Sequence, residues 1–316
     1  MTSPNVPNMT LDPFTGVMPP NVTLVVTILG CGSSVGVPAL KYGWGDCDES
    51  NEKNIRTRSS IILETATTSV LVDMSPDLRQ QLLRHRSFKV DGVIFTHEHY
   101  DHTSGINELR PVFFGSGRTL KIYSNAECIE SIKSMFFYLF EDGVQEHNIH
   151  DPSNRVDEID YAKEFSGNAL YGSGDLTGND RSANLYMPYI SANIIADRFQ
   201  IGDISGICFE QNHGHSKSMG IRVGNFAYTT DVVAFPEESF AKLYGLDVWV
   251  VDCLSPEVVS NHANIDSVLQ WVEILKPKMT YLTHMSIRMD YDRLLQILPP
   301  NVRPAYDQMQ FEVNNQ

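Results

Sequence analysis

Thr96-His97-Glu98-His99-Tyr100-Asp101-His102-Thr103-Ser104-Gly105 places four metal-ligand side chains within six residues. The apolar, β-branched run Val90–Thr96 reads as a buried strand that ends at the first histidine. Alternate side chains of an extended chain share a face, so His97 and His99 can reach one ion. Asp101 and His102 follow at the turn and can swing to a neighbouring position. Imidazole nitrogen and carboxylate oxygen suit zinc, manganese or iron. Thiolates would make a closed structural site, and none lies in this stretch. A catalytic site keeps one coordination position open for water. Two ions roughly 3.5 Å apart can lower the pKa of a bridging water and clamp the attacking and leaving oxygens.

Further ligands must come from elsewhere in the chain. His213 lies in Asn212-His213-Gly214-His215, just after a predicted strand. Asp231 closes Phe226–Asp231, and His284 closes Tyr281–His284. Each is a metal-type residue at the carboxyl end of a predicted strand, where connecting loops gather at one sheet edge. His215 is the alternative to His213, or a donor behind the ligands. Asp73 ends the predicted strand Ser69–Asp73 and suits a hydrogen bond to a ligating histidine. Arg56 and Arg58 suit a bidentate grip on phosphate, or pairing with surface carboxylates. His262 stands in a loop before a predicted helix, Ile265–Leu275, where it can protonate a leaving oxygen.

Around these motifs, short apolar runs alternate with helical patterns. Val22–Leu29, Arg58–Glu64, Leu120–Ser124, Ile204–Asn212, Ser218–Val223, Asn225–Thr230, Leu246–Asp252 and Thr280–Thr283 read as strands. Pro76–His85, Ala126–Phe140, Ile265–Leu275 and a segment from Tyr291 to before Pro299 read as helices. Interleaved strands and helices imply an α/β or α+β chain built in layers. Residues 1–20 read as a flexible arm before a single domain over 21–316. The polar, glycine-rich stretch at 141–180 reads as an inserted loop or lid.

The 316-residue chain is 42% hydrophobic, which suffices for a large core, and its formal net charge is −15. That charge repels nucleic acid and anionic lipid at long range, so no nucleic-acid duplex or membrane partner is expected. The apolar runs are strand-length, too short to span a bilayer. Five scattered cysteines fit free thiols in a reducing compartment, so a cytosolic protein is expected, with the nucleus also open. A homodimer is an open option.

The signature His-x-His-x-Asp-His resembles that of the metallo-β-lactamase superfamily. Further blocks are similar to the branch that includes the phosphoribosyl cyclic phosphate phosphodiesterase of the bacterial carbon–phosphorus lyase pathway. They are Gly30–Pro38, Lys53–Ser60, Asp73 with Pro76-Asp77, Gly105–Pro111, His213-Gly214, Ala227–Asp231, Thr283–Ser286 and Arg303–Asp307. The resemblance implies a four-layer αββα sandwich, two mixed sheets face to face with helices outside. It implies that His97, His99 and His213 hold one metal, that Asp101, His102 and His284 hold a second, and that Asp231 bridges them. It also gives His262 a part in acid–base chemistry, which with Asp101 makes the candidate catalytic pair. Some members carry a structural zinc on clustered cysteines. Here that loop holds only Cys47, and Ile287 replaces the distal histidine, so no structural zinc is expected.

The function expected on these grounds is hydrolysis of a small cyclic or nucleotide-like phosphodiester with two divalent ions, Zn²⁺ or Mn²⁺ with iron admitted, through a metal-bridging hydroxide. Thioester or lactone hydrolysis on the same fold is the alternative. Processing of tRNA 3′ ends is disfavoured by the charge.

Overall fold

The computed structural model describes residues 22–113, 118–140 and 188–314. The expected N-terminal arm and the expected lid at 141–180 lie outside the described residues. Two seven-stranded mixed sheets form the body. The first runs in the order β14 (Met309–Asn314), β1 (Thr23–Gly30), β2 (Ser60–Glu64), β3 (Ser69–Val72), β4 (Gly92–Ile94), β5 (Leu120–Ser124), β6 (Ile190–Ile194). The second runs β13 (Val302–Pro304), β12 (Met279–Thr283), β11 (Val248–Asp252), β10 (Phe226–Thr229), β9 (Ser216–Val223), β8 (Ile204–His213), β7 (Arg198–Ile201). With helices packed outside, this is the αββα sandwich.

The alternation of side chains along single strands explains the layering. In β2, Ile61 and Leu63 enter one core while Ile62 enters another. In β3, Val70 and Val72 divide from Leu71 in the same way, and in β4 Ile94 divides from Val93. Strands covered on both faces lose the polar–apolar alternation, which is why these segments read as continuous apolar runs. The inter-sheet core joins Val26, Ile28 and Val72 to Ile221, Tyr228 and Val250, and continues to Val268, Val272 and Leu275 of the helix Ile265–Leu275. The second core packs the helices Leu78–His85 and Ala126–Met135 on the far face of the first sheet, through Leu78, Leu82, Ile129 and Ile132.

β4, β10, β11 and β12 pair in parallel with a neighbour, so their carboxyl ends line up at one edge of the sandwich. His97, Asp231 and His284 follow at those ends. Asp73, which follows β3, arrives at the same edge. All five cysteines are buried free thiols, and no described helix is long and apolar enough to cross a membrane.

Gly105 closes one corner of this edge. Its amide donates to the Met74 carbonyl at 2.8 Å, and the Met74 amide donates to the His102 carbonyl at 2.6 Å. A Cβ at Gly105 would sit 2.1 Å from the Ser75 carbonyl oxygen. Backbone cannot yield as a flexible side chain does. Gly105→Ala is therefore expected to destabilise the fold by about 1–3 kcal/mol or more, measured by thermal or denaturant unfolding. An unchanged melting temperature would show that the clasp yields freely.

Candidate metal centre

Two donor sets converge at the sheet edge. His97, His99 and His213 form one, and Asp101, His102, Asp231 and His284 form the other, each with its ligand-type atoms within 4.8 Å of one another. Asp231 stands between them. Its Oδ1 lies 3.8 Å from His97 Nε2 and 3.7 Å from His213 Nε2. Its Oδ2 lies 3.2 Å from His102 Nε2 and 3.3 Å from His284 Nδ1. Asp101 Oδ2 lies 3.3 Å from His102 Nε2. One carboxylate thus presents a separate oxygen to each set.

The groups behind the rings fix how they point. His213 Nδ1 donates to the Asn261 carbonyl at 2.7 Å, and a carbonyl can only accept. His102 Nδ1 lies 2.7 Å from Asp73 Oδ2. The Thr96 hydroxyl gives its hydrogen to Asp73 Oδ2, so toward His97 Nδ1, 3.0 Å away, it can only accept. In all three rings the Nδ1 side is occupied, which leaves Nε2 as the free lone pair, turned toward Asp231. His97 Nε2 and His102 Nε2 are buried without a hydrogen-bond partner. Buried polar atoms are rarely left so, and a cation in each donor set would satisfy them. At His284 it is Nδ1 that faces Asp231, and the Ser59 hydroxyl lies 3.2 Å from that same nitrogen.

Electrostatics agree with that fit. Burial pushes the His97, His213 and His284 rings below the ordinary histidine pKa, which favours the neutral form that ligates. Burial also favours a neutral His102, but Asp231, Asp101 and Asp73 override it and lift its pKa well above the usual value. Burial would raise Asp231, yet His284 and His102 hold it well below the carboxylate range. A ring surrounded by three carboxylates marks a place that attracts positive charge. With imidazoles, carboxylates and no thiolate, the donor chemistry fits divalent zinc, manganese or iron.

Three of these positions lie in left-handed backbone: Asp73 (φ 63°), Asp231 (φ 54°) and His284 (φ 54°). Asp and His tolerate this region better than most residues, and such strain gathers at functional sites. Gly214, at φ 68°, lets the chain pass so close to Asn261 that a Cβ would come within 2.8 Å of the Asn261 Cβ. That approach makes the His213–Asn261 bond achievable.

His262 completes the group. Its Nδ1 lies 2.9 Å from Asp252 Oδ2, and its ring packs 4.7 Å from His213 and 4.8 Å from His284. Burial would lower its pKa, but Asp252 outweighs burial and raises it to about 9. The Asn264 side chain accepts from the Ser267 amide and caps the helix, which fixes the loop that presents His262. The described residues leave a cleft of about 230 Å³ lined by Ser34, His99, Tyr100, Asp101, His213, Asp231, Asn261, His262 and His284.

Two sequence-based expectations need correction. His215 is exposed, does not line the cleft and joins neither donor set. The two-residue turn after β8 points it outward while His213 turns in. Arg58 is not a phosphate ligand at the cleft, because both Asp77 oxygens lie 2.9 Å from its Nη1. Arg56 is likewise buried against Asn54 and Cys47. Asp73 does stand behind His102. Asp73→Ala is expected to weaken metal retention about 10–100-fold, read by titration with a competing chelator, since it strips a buried N–H of its acceptor. Unaltered retention would mean that His102 orients itself. Asp252, Ser59, Asn261 and Thr96 escaped the sequence reading. Asp252 had a usable signal, a carboxylate at the end of a predicted strand, as at Asp73 and Asp231.

Comparison with known proteins agrees with this geometry. A model of the beta-lactamase superfamily domain matches residues 68–285. A diphosphatase from the PhnP family superposes with TM-score 0.74 at 25% identity, covering 92% of this chain and 98% of that one. The metallo-beta-lactamase fold protein YhfI from Bacillus subtilis superposes with TM-score 0.64 at 16% identity, over 92% of this chain and 100% of that one. In sequence the chain is 25% identical over 283 residues to an octanoyltransferase from Porphyromonas gingivalis, covering 89% of this chain and 50% of that protein. The chain thus spans about half the length of that curated relative. Fold, donor arrangement and family match lead to one conclusion: the chain belongs to the beta-lactamase superfamily, with the metallo-β-lactamase fold of the PhnP-like branch.

Proposed function

We propose that the protein hydrolyses a small anionic phosphodiester at this cleft, where the two donor sets would hold two divalent ions and Asp231 would serve both. The observation that carries the reading is the division of Asp231, Oδ1 toward His97 and His213 and Oδ2 toward His102 and His284. Two bound divalent ions would supply charge neutralisation for the phosphoryl oxygens and a nucleophile from water at neutral pH. His99, at the exposed rim of the first set, and Asp101, in the second, complete the donors. His262 holds a proton on the cleft side of the Asp252 carboxylate, where it can pass to a departing alkoxide. Asp252 keeps the ring in one orientation throughout.

The PhnP-family diphosphatase, similar over nearly its whole length, supports chemistry at phosphorus rather than at an acyl carbon. The net charge of −15 favours a compact substrate over a nucleic acid.

Turnover of bis(p-nitrophenyl) phosphate and of cyclic nucleotides by protein stripped of metal and reloaded with Mn²⁺ or Zn²⁺ tests the proposal. Activity is expected to appear on reloading and to exceed that on acyl thioesters and lactones. Preference for the acyl substrates, or no phosphodiester turnover in fully loaded protein, would remove it.

A further inference from the structure

Tyr100 has a position that the chemistry above does not use. It stands between His99 and Asp101, lines the cleft and is 54% exposed. Its hydroxyl donates to the Ser34 carbonyl at 2.6 Å. That carbonyl belongs to a tight turn, in which the Gly36 amide donates to the Ser33 carbonyl at 2.8 Å. The turn is itself tied to the last ligand loop, because the Ser33 amide donates to the Met285 carbonyl. The phenol is therefore fixed at both ends, by the backbone of the metal-ligand motif and by its own hydroxyl. With its only hydrogen given to Ser34, the hydroxyl is not available as an acid. What the side chain still offers a ligand is the bare surface of an immobilised ring.

The size of the cleft gives that ring something to meet. At about 230 Å³ it is smaller than sites that engulf a drug-sized ligand, roughly 300–1,000 Å³. A phosphoryl group seated against Asp231 and His262 is several times smaller than the cleft, so its substituent lies in the remaining space, of which Tyr100 forms a wall. Val35, 51% exposed on the same turn as Ser34, adds apolar surface beside the latch. A fixed ring loses little freedom when a flat partner stacks on it, so the stacking gain is retained.

We infer that Tyr100 is a specificity-determining platform, and that the substrate is a phosphodiester carrying a planar aromatic group, such as a nucleobase, that stacks on it. This rests on the phosphodiesterase reading for the bond that is cleaved, and not for the stacking itself. The test is therefore a binding experiment. Equilibrium affinities of AMP and of ribose 5-phosphate for the metal-loaded full chain are compared by calorimetry. Base–aromatic stacking predicts that AMP binds about tenfold more tightly. Tyr100→Ala is expected to bring the ratio to about one while ribose 5-phosphate affinity holds, which also shows that the variant is folded. Tyr100→Phe, which keeps the ring and loses the latch, is expected to retain most of the preference. Equal affinities in the unaltered protein, or a preference that survives in Tyr100→Ala, overturns the inference. If ribose 5-phosphate binding is lost in Tyr100→Ala as well, Tyr100→Leu is measured in its place, and a preference retained there overturns it too. Absence of diester turnover alongside a Tyr100-dependent AMP preference removes the phosphodiesterase reading and leaves the platform.

Discussion

Asp231→Asn is expected to bind one ion or fewer per chain, against about two for the unaltered protein, and to hydrolyse phosphodiesters about a thousandfold more slowly or worse. The substitution preserves shape, and asparagine tolerates the left-handed backbone at this position, so the change is one of charge. Asparagine offers one acceptor oxygen where aspartate offers two. Whichever way the amide turns, one of the two histidine pairs, His97 with His213 or His102 with His284, faces an NH₂ group that cannot ligate. The loss also removes half of the carboxylate pair, Asp231 with Asp101, that faces His102 Nε2. Breaking one partner of a buried charge set costs more than breaking an exposed pair. Metal analysis by mass spectrometry and the thermal melt, taken together, separate loss of ions from loss of fold. Two ions per chain at full activity in Asp231→Asn would refute the shared-carboxylate reading.

The ligands that the sequence revealed share one property. His97, His99, Asp101 and His102 are clustered, and His213, Asp231 and His284 each end a predicted strand. Strands that run in the same direction bring such ends to one edge, so the convergence is legible in the sequence. The same logic read most strands of both sheets, because each is short, apolar and bounded by turns. It missed β6 (Ile190–Ile194), β7 (Arg198–Ile201), β13 (Val302–Pro304) and β14 (Met309–Asn314). Those are edge or near-edge strands, partly exposed, where the apolar run is broken by Asn193, Arg198 and Arg303. What no pattern could show is which group stands behind each ring. Ser59 and Asn261 reach His284 and His213 from positions 225 and 48 residues away in sequence. Arg58 failed as a phosphate ligand for a related reason. Its partner Asp77 is 19 residues on, and only the packing of the helix Leu78–His85 brings the two together. A charged residue near a motif does not reveal which charge it faces.

His262→Ala is expected to lower the rate of alkoxide-leaving substrates such as cyclic nucleotides by about 10²–10⁴-fold, while metal content stays unchanged. Bis(p-nitrophenyl) phosphate departs as a stabilised phenolate and needs no proton, so its hydrolysis should fall far less. That split follows from the position of the residue. The Asp252 carboxylate occupies Nδ1 and the ring is wedged between His213 and His284, which leaves Nε2 to carry the transferable proton. Asp252→Asn should reproduce part of the loss on the same substrates, because the ring would remain but lose the partner that orients it and favours its charged form. The competing account is that His262 is itself a ligand, since it lies with His213 and Asp231 in a third set of atoms close enough to share an ion. A ligand role predicts the opposite pattern: reduced metal content, and equal losses on phenolate-leaving and alkoxide-leaving substrates. Nδ1 is 4.0 Å from Asp231 Oδ1 but 2.9 Å from Asp252 Oδ2, so Nδ1 is committed to Asp252 and either role falls to Nε2. The proton-donor role therefore stands or falls on whether the loss follows the basicity of the leaving group.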